Sequence, residues 1–216
     1  MPGLLIVRHG QSIWNAEGRW QGQADPPLSA EGEVQARTAA HRLAAVPGGV
    51  TFDLVVSSDL GRAVRTAELM AVLLGVDADL VVEPGLREYD VGEWSGRTRA
   101  EIEARWPGAL EQWGRGTLTA PPGGEDRSAL DARVVRAGRR VAAVAAERRA
   151  GRILAVAHGG VIRALARATG RPERPIGHLA GYTGTHDSES LSPEEYVDLL
   201  DGRTGLANTD PDPQSL

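Results

Sequence analysis

Five side chains of the 216-residue sequence, Arg8, His9, Arg62, Glu88 and His158, stand in polar clusters that follow short apolar runs. Arg8-His9-Gly10-Gln11-Ser12 comes after residues 4–7, and Ser57-Ser58-Asp59-Leu60-Gly61-Arg62 after residues 54–56. Leu86-Arg87-Glu88 follows residues 80–82 at a short distance, and His158-Gly159-Gly160 directly follows residues 153–157. Brought together, these groups are complete for phosphoryl transfer. Two guanidiniums can grip non-bridging phosphate oxygens in bidentate fashion. A neutral imidazole can attack phosphorus in line, while a second histidine donates to charge growing on the equatorial oxygens. A carboxyl group can protonate the leaving alkoxide and then deprotonate the incoming water. Arginines beside His9 also disfavour its protonated form, which keeps a lone pair available near neutral pH.

Composition narrows the choice of nucleophile. The chain has no cysteine, which excludes disulfides, thiolate metal sites and thiol nucleophiles. All 24 basic residues are arginine, which excludes a Walker-type phosphate-binding lysine and Schiff-base chemistry. Phosphate must then be held by guanidinium forks and backbone amides. A net charge of −5 gives the surface as a whole no attraction for nucleic acid or anionic membranes. Apolar content of 41% and charged content of 25% are those of a globular protein, and the length suits one sizeable domain. Residues 4–7 are too short an apolar run for a signal peptide, and no stretch approaches the ~20 apolar residues of a membrane span. The expected location is cytoplasmic.

The elements that must position the five residues alternate in type. The apolar runs at 4–7, 54–56, 80–82 and 153–157 are β-branched and bounded by polar or glycine-containing sequence, so each is expected as a strand buried on both faces. Leu60, Val64, Ala67, Ala71 and Leu74 follow helical spacing, as do Leu130, Val134, Ala137, Val141 and Val144. A further helix is expected over residues 31–46 with Ser29 as N-cap, and another from Val161 to about Thr169. This alternation predicts an α/β fold, a three-layer αβα sandwich with a mostly parallel central sheet. In such a sheet the carboxyl ends of the strands share one edge, where ligands bind. The five residues are therefore expected to converge there.

Two segments break the rhythm. Residues 90–125 carry Trp94, Trp106 and Trp113 and end in Pro121-Pro122-Gly123-Gly124-Glu125; they read as a lid-like insertion in which the tryptophans mainly pack. Residues 1–180 are expected as the single catalytic domain, and 181–216 as a polar tail. Within the tail only 196–200 could pack as a helical turn or two, and 210–216 look frayed. His41 reads as surface or core filler, and His178 and His186 lie in a polar, glycine-rich region with nothing to mark them as metal ligands.

The ordered motifs resemble the histidine phosphatase superfamily, phosphoglycerate-mutase-like branch. They are Arg8-His9-Gly10 with Asn15, Gln21-Gly22-Gln23-Ala24-Asp25 with Leu28-Ser29, Arg62-Ala63 with Thr66-Ala67, Leu86-Arg87-Glu88 with Gly92-Glu93-Trp94 and Gly96, Pro122-Gly123-Gly124-Glu125, and Ala157-His158-Gly159-Gly160. The resemblance spans about residues 3–170 and implies that His9 becomes a phosphohistidine. It further implies that Arg8, Arg62 and His158 complete the phosphate pocket and that Glu88 is the proton donor. Ser12, Asn15, Gln21, Gly22 and the amide of Gly159 are implied as substrate-binding groups. The family uses no metal, and no cofactor is expected.

The chain departs from the family pattern at Asp59, where proline is frequent, and at Ser95, where glutamate is common after the tryptophan. The family also usually supplies another strand after Gly170, and none is evident here. The interval from Glu88 to His158 lacks the extra basic segment that mutases carry, which leaves a phosphoenzyme open to water and favours hydrolysis. A phosphatase acting on a small phosphorylated metabolite is the expected function. A cofactor-dependent phosphoglycerate mutase is the runner-up, and a non-catalytic phospho-ligand binding domain the third reading. No nucleic acid or membrane partner is expected, and a homodimer stays open.

Overall fold

Apolar residues fill both faces of the first strand because helices cover both sides of the sheet. The computed structural model describes residues 3–202. Its strands are β1 (Leu4–Arg8), β2 (Leu54–Ser57), β3 (Leu80–Val82), β4 (Ile153–Ala157), β5 (Ala180–His186) and β6 (Leu191–Asp198). They form one sheet in the order β3-β2-β4-β1-β5-β6, with parallel pairing from β3 to β1 and antiparallel pairing of β5 with both neighbours. Leu4 and Ile6 enter one core, with Leu54, Val56, Ile153 and Ala155. Leu5 and Val7 enter the other, with Val55, Leu154 and Val156. Each fully buried Leu or Ile contributes about 1.5–3 kcal/mol.

The helices α2 (Ala30–Ala44) and α3 (Gly61–Leu73) cover the second core through Ala39, Ala40, Leu43, Ala63, Ala67 and Met70. On the opposite face α6 (Arg127–Arg148) and α7 (Gly159–Ala168) supply Leu130, Val134, Val141, Val161 and Ile162. A sandwich of three layers results. Ser29 caps α2 by accepting the N–H of Gly32. The short α1 (Ile13–Ala16) and the pair α4 (Arg99–Arg105) and α5 (Ala109–Arg115) lie outside this framework. Among the described residues no helix is long and apolar enough to cross a membrane.

Three expectations change. Leu80–Val82 is an edge strand, half-buried with Val82 exposed, because among the described residues it pairs only with β2. The helix expected from Val161 begins two residues earlier, so Gly159 and Gly160 form its first turn.

The largest correction concerns residues from 181 onward, which make the strand that seemed to be missing. β5 lies beside β1, and β6 closes that edge, so the sheet extends to Asp198 and residues 196–198 are strand rather than helix. Composition hid this. A Cβ on Gly181 would sit 1.9 Å from the Ile6 carbonyl oxygen, so close strand approach requires the residue that weakens the strand signal. Pro193 and two glutamates are tolerated on β6 because it is an edge strand with a bulge opposite Thr183 and Gly184. Residues 210–216 lie outside the described residues.

Candidate active site

Strand register brings the two histidines together. Arg8 pairs with Ala157 across β1 and β4, so His9 and His158 follow at adjacent strand ends. Strands in a sheet lie about 4.8 Å apart, and the two imidazole centroids are 5.1 Å apart, edge to face. His158 is also the N-cap of α7, which aims the helix N-terminus at the same place.

The state of His9 follows from its partners. The ring is buried, and Nδ1 lies 2.6 Å from the Gly10 carbonyl. A carbonyl only accepts, so Nδ1 carries the proton. Nε2 then holds a lone pair, and it accepts the Nε–H of Arg62 at 3.2 Å. Burial holds the His9 pKa well below its ordinary value, helped by His158, Arg8 and Arg62, with the Gly10 carbonyl opposing. His158 is lowered in the same direction by burial first, then by Arg62, Arg8 and Arg133. Neither ring nitrogen of His158 has a partner among the described residues, although the side chain is fully buried. Buried polar groups are normally hydrogen-bonded, which sets this ring apart from the other buried side chains.

Arg62 is fully buried at the start of α3. Its terminal nitrogens donate to the carbonyls of Ala24 at 2.7 Å and Gly22 at 2.8 Å, so it fixes the 21–25 loop as well as His9. Burial draws its pKa down to about 10, with Glu88 and Asp25 opposing. Each terminal nitrogen retains one further N–H. Arg8 donates through one terminal nitrogen to the Ile176 carbonyl at 3.0 Å, and its buried Nε has no partner among the described residues.

Glu88 is half-buried at the rim. Its carboxylate accepts the N–H of Tyr89 at 2.8 Å and that of Gly160, at 3.1 Å to each oxygen. Its neighbours are occupied elsewhere: Asp90 caps the Gly92 N–H, and Glu93 lies 3.7 Å from Arg105. Asp59 grips Arg87, and that ion pair ties the end of β2 to the residue before Glu88. Ser95 donates to the Gln21 carbonyl at 3.1 Å.

A cleft of about 380 Å³ opens over this floor, lined by Arg8, His9, Arg62 and Glu88 together with Asn15, Gln21 and Gly22. Ser12 lies behind it, buried, with its hydroxyl donating to Gln21 Oε1 at 2.7 Å and accepting the Asn15 N–H at 3.1 Å. Gly159 is buried beside Arg8 and Arg163. Among the described residues no group of three His, Asp or Glu side chains is placed to hold a metal ion.

The family model for the histidine phosphatase superfamily, branch 1, matches residues 4–186. The chain belongs to that superfamily. It is 39% identical over 165 residues to a 2,3-bisphosphoglycerate-dependent phosphoglycerate mutase of Methylobacterium radiotolerans, covering 75% of this chain and 76% of the relative. It is 42% identical over 176 residues to a glucosyl-3-phosphoglycerate phosphatase of Mycobacterium tuberculosis, covering 76% and 74%. The solved structure of mycobacterial glucosyl-3-phosphoglycerate phosphatase with VO3 superposes with a TM-score of 0.70 at 35% identity, covering 83% of this chain and 89% of that one. This histidine phosphatase therefore carries out catalysis of the superfamily's general type on a small phosphorylated metabolite.

Two residues lining the cleft of this histidine phosphatase, Arg163 and Arg99, are not singled out by the sequence. Arg163 stands one turn into α7, where side chains lean toward the helix N-terminus, so the His158-Gly159-Gly160 motif already pointed to it. Arg99 lines the cleft from α4, and neither arginine has an ion-pair partner among the described residues. Trp113 lines it from α5 while packing edge-on against Tyr89 at 4.9 Å and Trp94 at 5.7 Å. His178, to which the sequence gives no role, has its ring centroid 5.9 Å from that of His9.

Proposed function

We propose that the protein is a phosphatase that hydrolyses phosphate monoesters of small metabolites through a phosphohistidine on His9, with Glu88 as the proton donor. The observation that carries this reading is the tautomer of His9, whose Nδ1–H is spent on Gly10 and whose Nε2 lone pair is held only by Arg62. An entering phosphoryl group competes for both partners. Its oxygens take the guanidinium, and its phosphorus takes Nε2.

In the first step the Nε2–P bond forms as the ester P–O bond breaks, and the leaving oxygen takes the proton of Glu88. In the second, water attacks phosphorus and gives a proton to the Glu88 carboxylate, and the N–P bond breaks to restore the lone pair. Arg8, Arg62, His158 and the Gly159 amide hold the equatorial oxygens. Asn15, Gln21 and Gly22 contact the substrate, with Ser12 acting through Gln21. The insertion carrying Trp94 and Trp113 covers the cleft as a lid.

One observation favours a second reading, the mutase: the 39% identical relative bears that name. Turnover of p-nitrophenyl phosphate with chelator present, lost in His9→Ala, supports the phosphatase. Interconversion of phosphoglycerates without hydrolysis overturns it in favour of the mutase.

A further inference from the structure

We infer that His178 is a positioning residue for the Arg8–His9 pair, a role that rests on the reading of His9 as nucleophile. Three hydrogen bonds join the segment before β5 to this pair. His178 Nδ1–H donates to the His9 carbonyl at 3.1 Å, the Leu179 N–H donates to the Arg8 carbonyl at 3.0 Å, and Arg8 donates to the Ile176 carbonyl at 3.0 Å. The acceptor of the first bond is a carbonyl, so Nδ1 of His178 must bear its proton.

The backbone pays particular attention to this contact in its geometry. Leu179 has φ of +52°, a left-handed conformation that costs energy for a residue with a side chain, and it is fully buried. That reversal lets the chain enter β5 while the His178 ring faces back to His9. Strain of this kind persists where surrounding contacts enforce it, and here those contacts end on the two residues at the floor of the cleft.

His9 is held on three sides. Its N–H donates to Ala157 in β4, its carbonyl accepts from His178, and its ring nitrogen donates to Gly10. Without the His178 bond the carbonyl is free to turn, and the imidazole and the Arg8 fork shift with it. Burial and the nearby Arg8 guanidinium push the His178 pKa down to about 4, so this donor adds no charge beside the nucleophile. The step proposed for hydrolysis uses no atom of His178.

The test compares His178→Leu, which lacks a donor, with His178→Asn, whose amide N–H stands near the position of Nδ1. Steady-state kinetics on p-nitrophenyl phosphate and orthovanadate affinity are both measured. The Leu variant is expected to lose about tenfold in kcat with KM within about twofold, and to bind vanadate about tenfold more weakly. The Asn variant is expected to recover both to within about twofold of wild type. His178→Phe replaces the Leu variant if that protein does not fold. Equal behaviour of the donor and non-donor variants, whether both active or both impaired, overturns the role, as does a loss confined to KM. Wild-type protein that binds vanadate without turnover defeats the phosphatase reading instead, and the vanadate comparison still decides the role of His178.

Discussion

The Gly160 N–H donates to both carboxylate oxygens of Glu88 at 3.1 Å, and a Cβ at Gly160 would lie 2.2 Å from Oε1. The first turn of α7 thus holds the carboxylate through a gap that only glycine leaves. Gly160→Ala is expected to push Glu88 off this seat while leaving the cleft-lining Arg8 and Arg62 in place. The kcat for alkyl phosphates should fall about 100-fold, the lower end of what general acid catalysis contributes. The loss for p-nitrophenyl phosphate should be smaller, because its leaving group needs less protonation. Equal losses on the two substrates would argue against Glu88 as the acid.

Arg62 links catalysis to stability. Its guanidinium is buried and donates to Gly22, Ala24 and His9. Arg62→Ala leaves the two carbonyls without their donor, so unfolding free energy should drop by about 2–4 kcal/mol. Arg62→Lys keeps a charge but lacks the fork that reaches three acceptors, and should recover only part of that loss. Urea denaturation checks both variants. A stability unchanged within about 0.5 kcal/mol would mean the loop is held by other contacts.

Much of this site was legible in the sequence because parallel strands carry their polar clusters to one edge. Residues 4–7 and 153–157 announced β1 and β4 by continuous apolar character, and their register alone sets His9 beside His158. Glu88 was distinguishable from Asp90 and Glu93 only by motif, since no spacing rule tells which carboxylate a loop turns inward. His178 was not legible. Its position depends on β5, and β5 is masked by Gly181 and Gly184, whose small size the close strand contacts require. Arg99 was hidden for a different reason: α4 lies outside the sheet framework, and nothing in its periodicity says which side meets the cleft. Trp113 on α5 was expected mainly to pack, and it does so against Tyr89 and Trp94 while also lining the cleft.

Acid should destabilise the protein before it denatures the carboxylate ion pairs. His9, His158 and His178 all have folded-state pKa values below the ordinary 6.5, the last at about 4. As pH falls through about 6.5 the unfolded chain binds protons at these positions and the folded protein does not. The histidines' contribution to stability is therefore fully present above about pH 6.5 and lost as pH falls below it, the His178 part down to about pH 4, at up to about 1.4 kcal/mol per pH unit for each histidine. Urea midpoints measured from about pH 7 down to pH 5 should fall, and His158→Gln should flatten the slope. For the same reason the acid limb of kcat/KM should lie well below about pH 6.5. A limb at the pKa of an unperturbed histidine would contradict the buried, neutral state of His9.

Trp113 is one of the residues lining the cleft. On the proposed reading the phosphoryl group sits over Arg8, His9 and Arg62, which leaves the ring of Trp113, braced by Tyr89 and Trp94, for the leaving group. Trp113→Ala removes that apolar surface without touching Arg8, His9 or Arg62. KM for a phosphate ester with an aromatic leaving group should rise roughly tenfold, consistent with about 1–2 kcal/mol of lost ring contact. The inhibition constant of inorganic phosphate should stay within about twofold of wild type, since phosphate has no group to reach the ring. A parallel rise in both constants would show instead that Trp113 supports the phosphate floor, and the leaving-group site would have to lie elsewhere along the cleft.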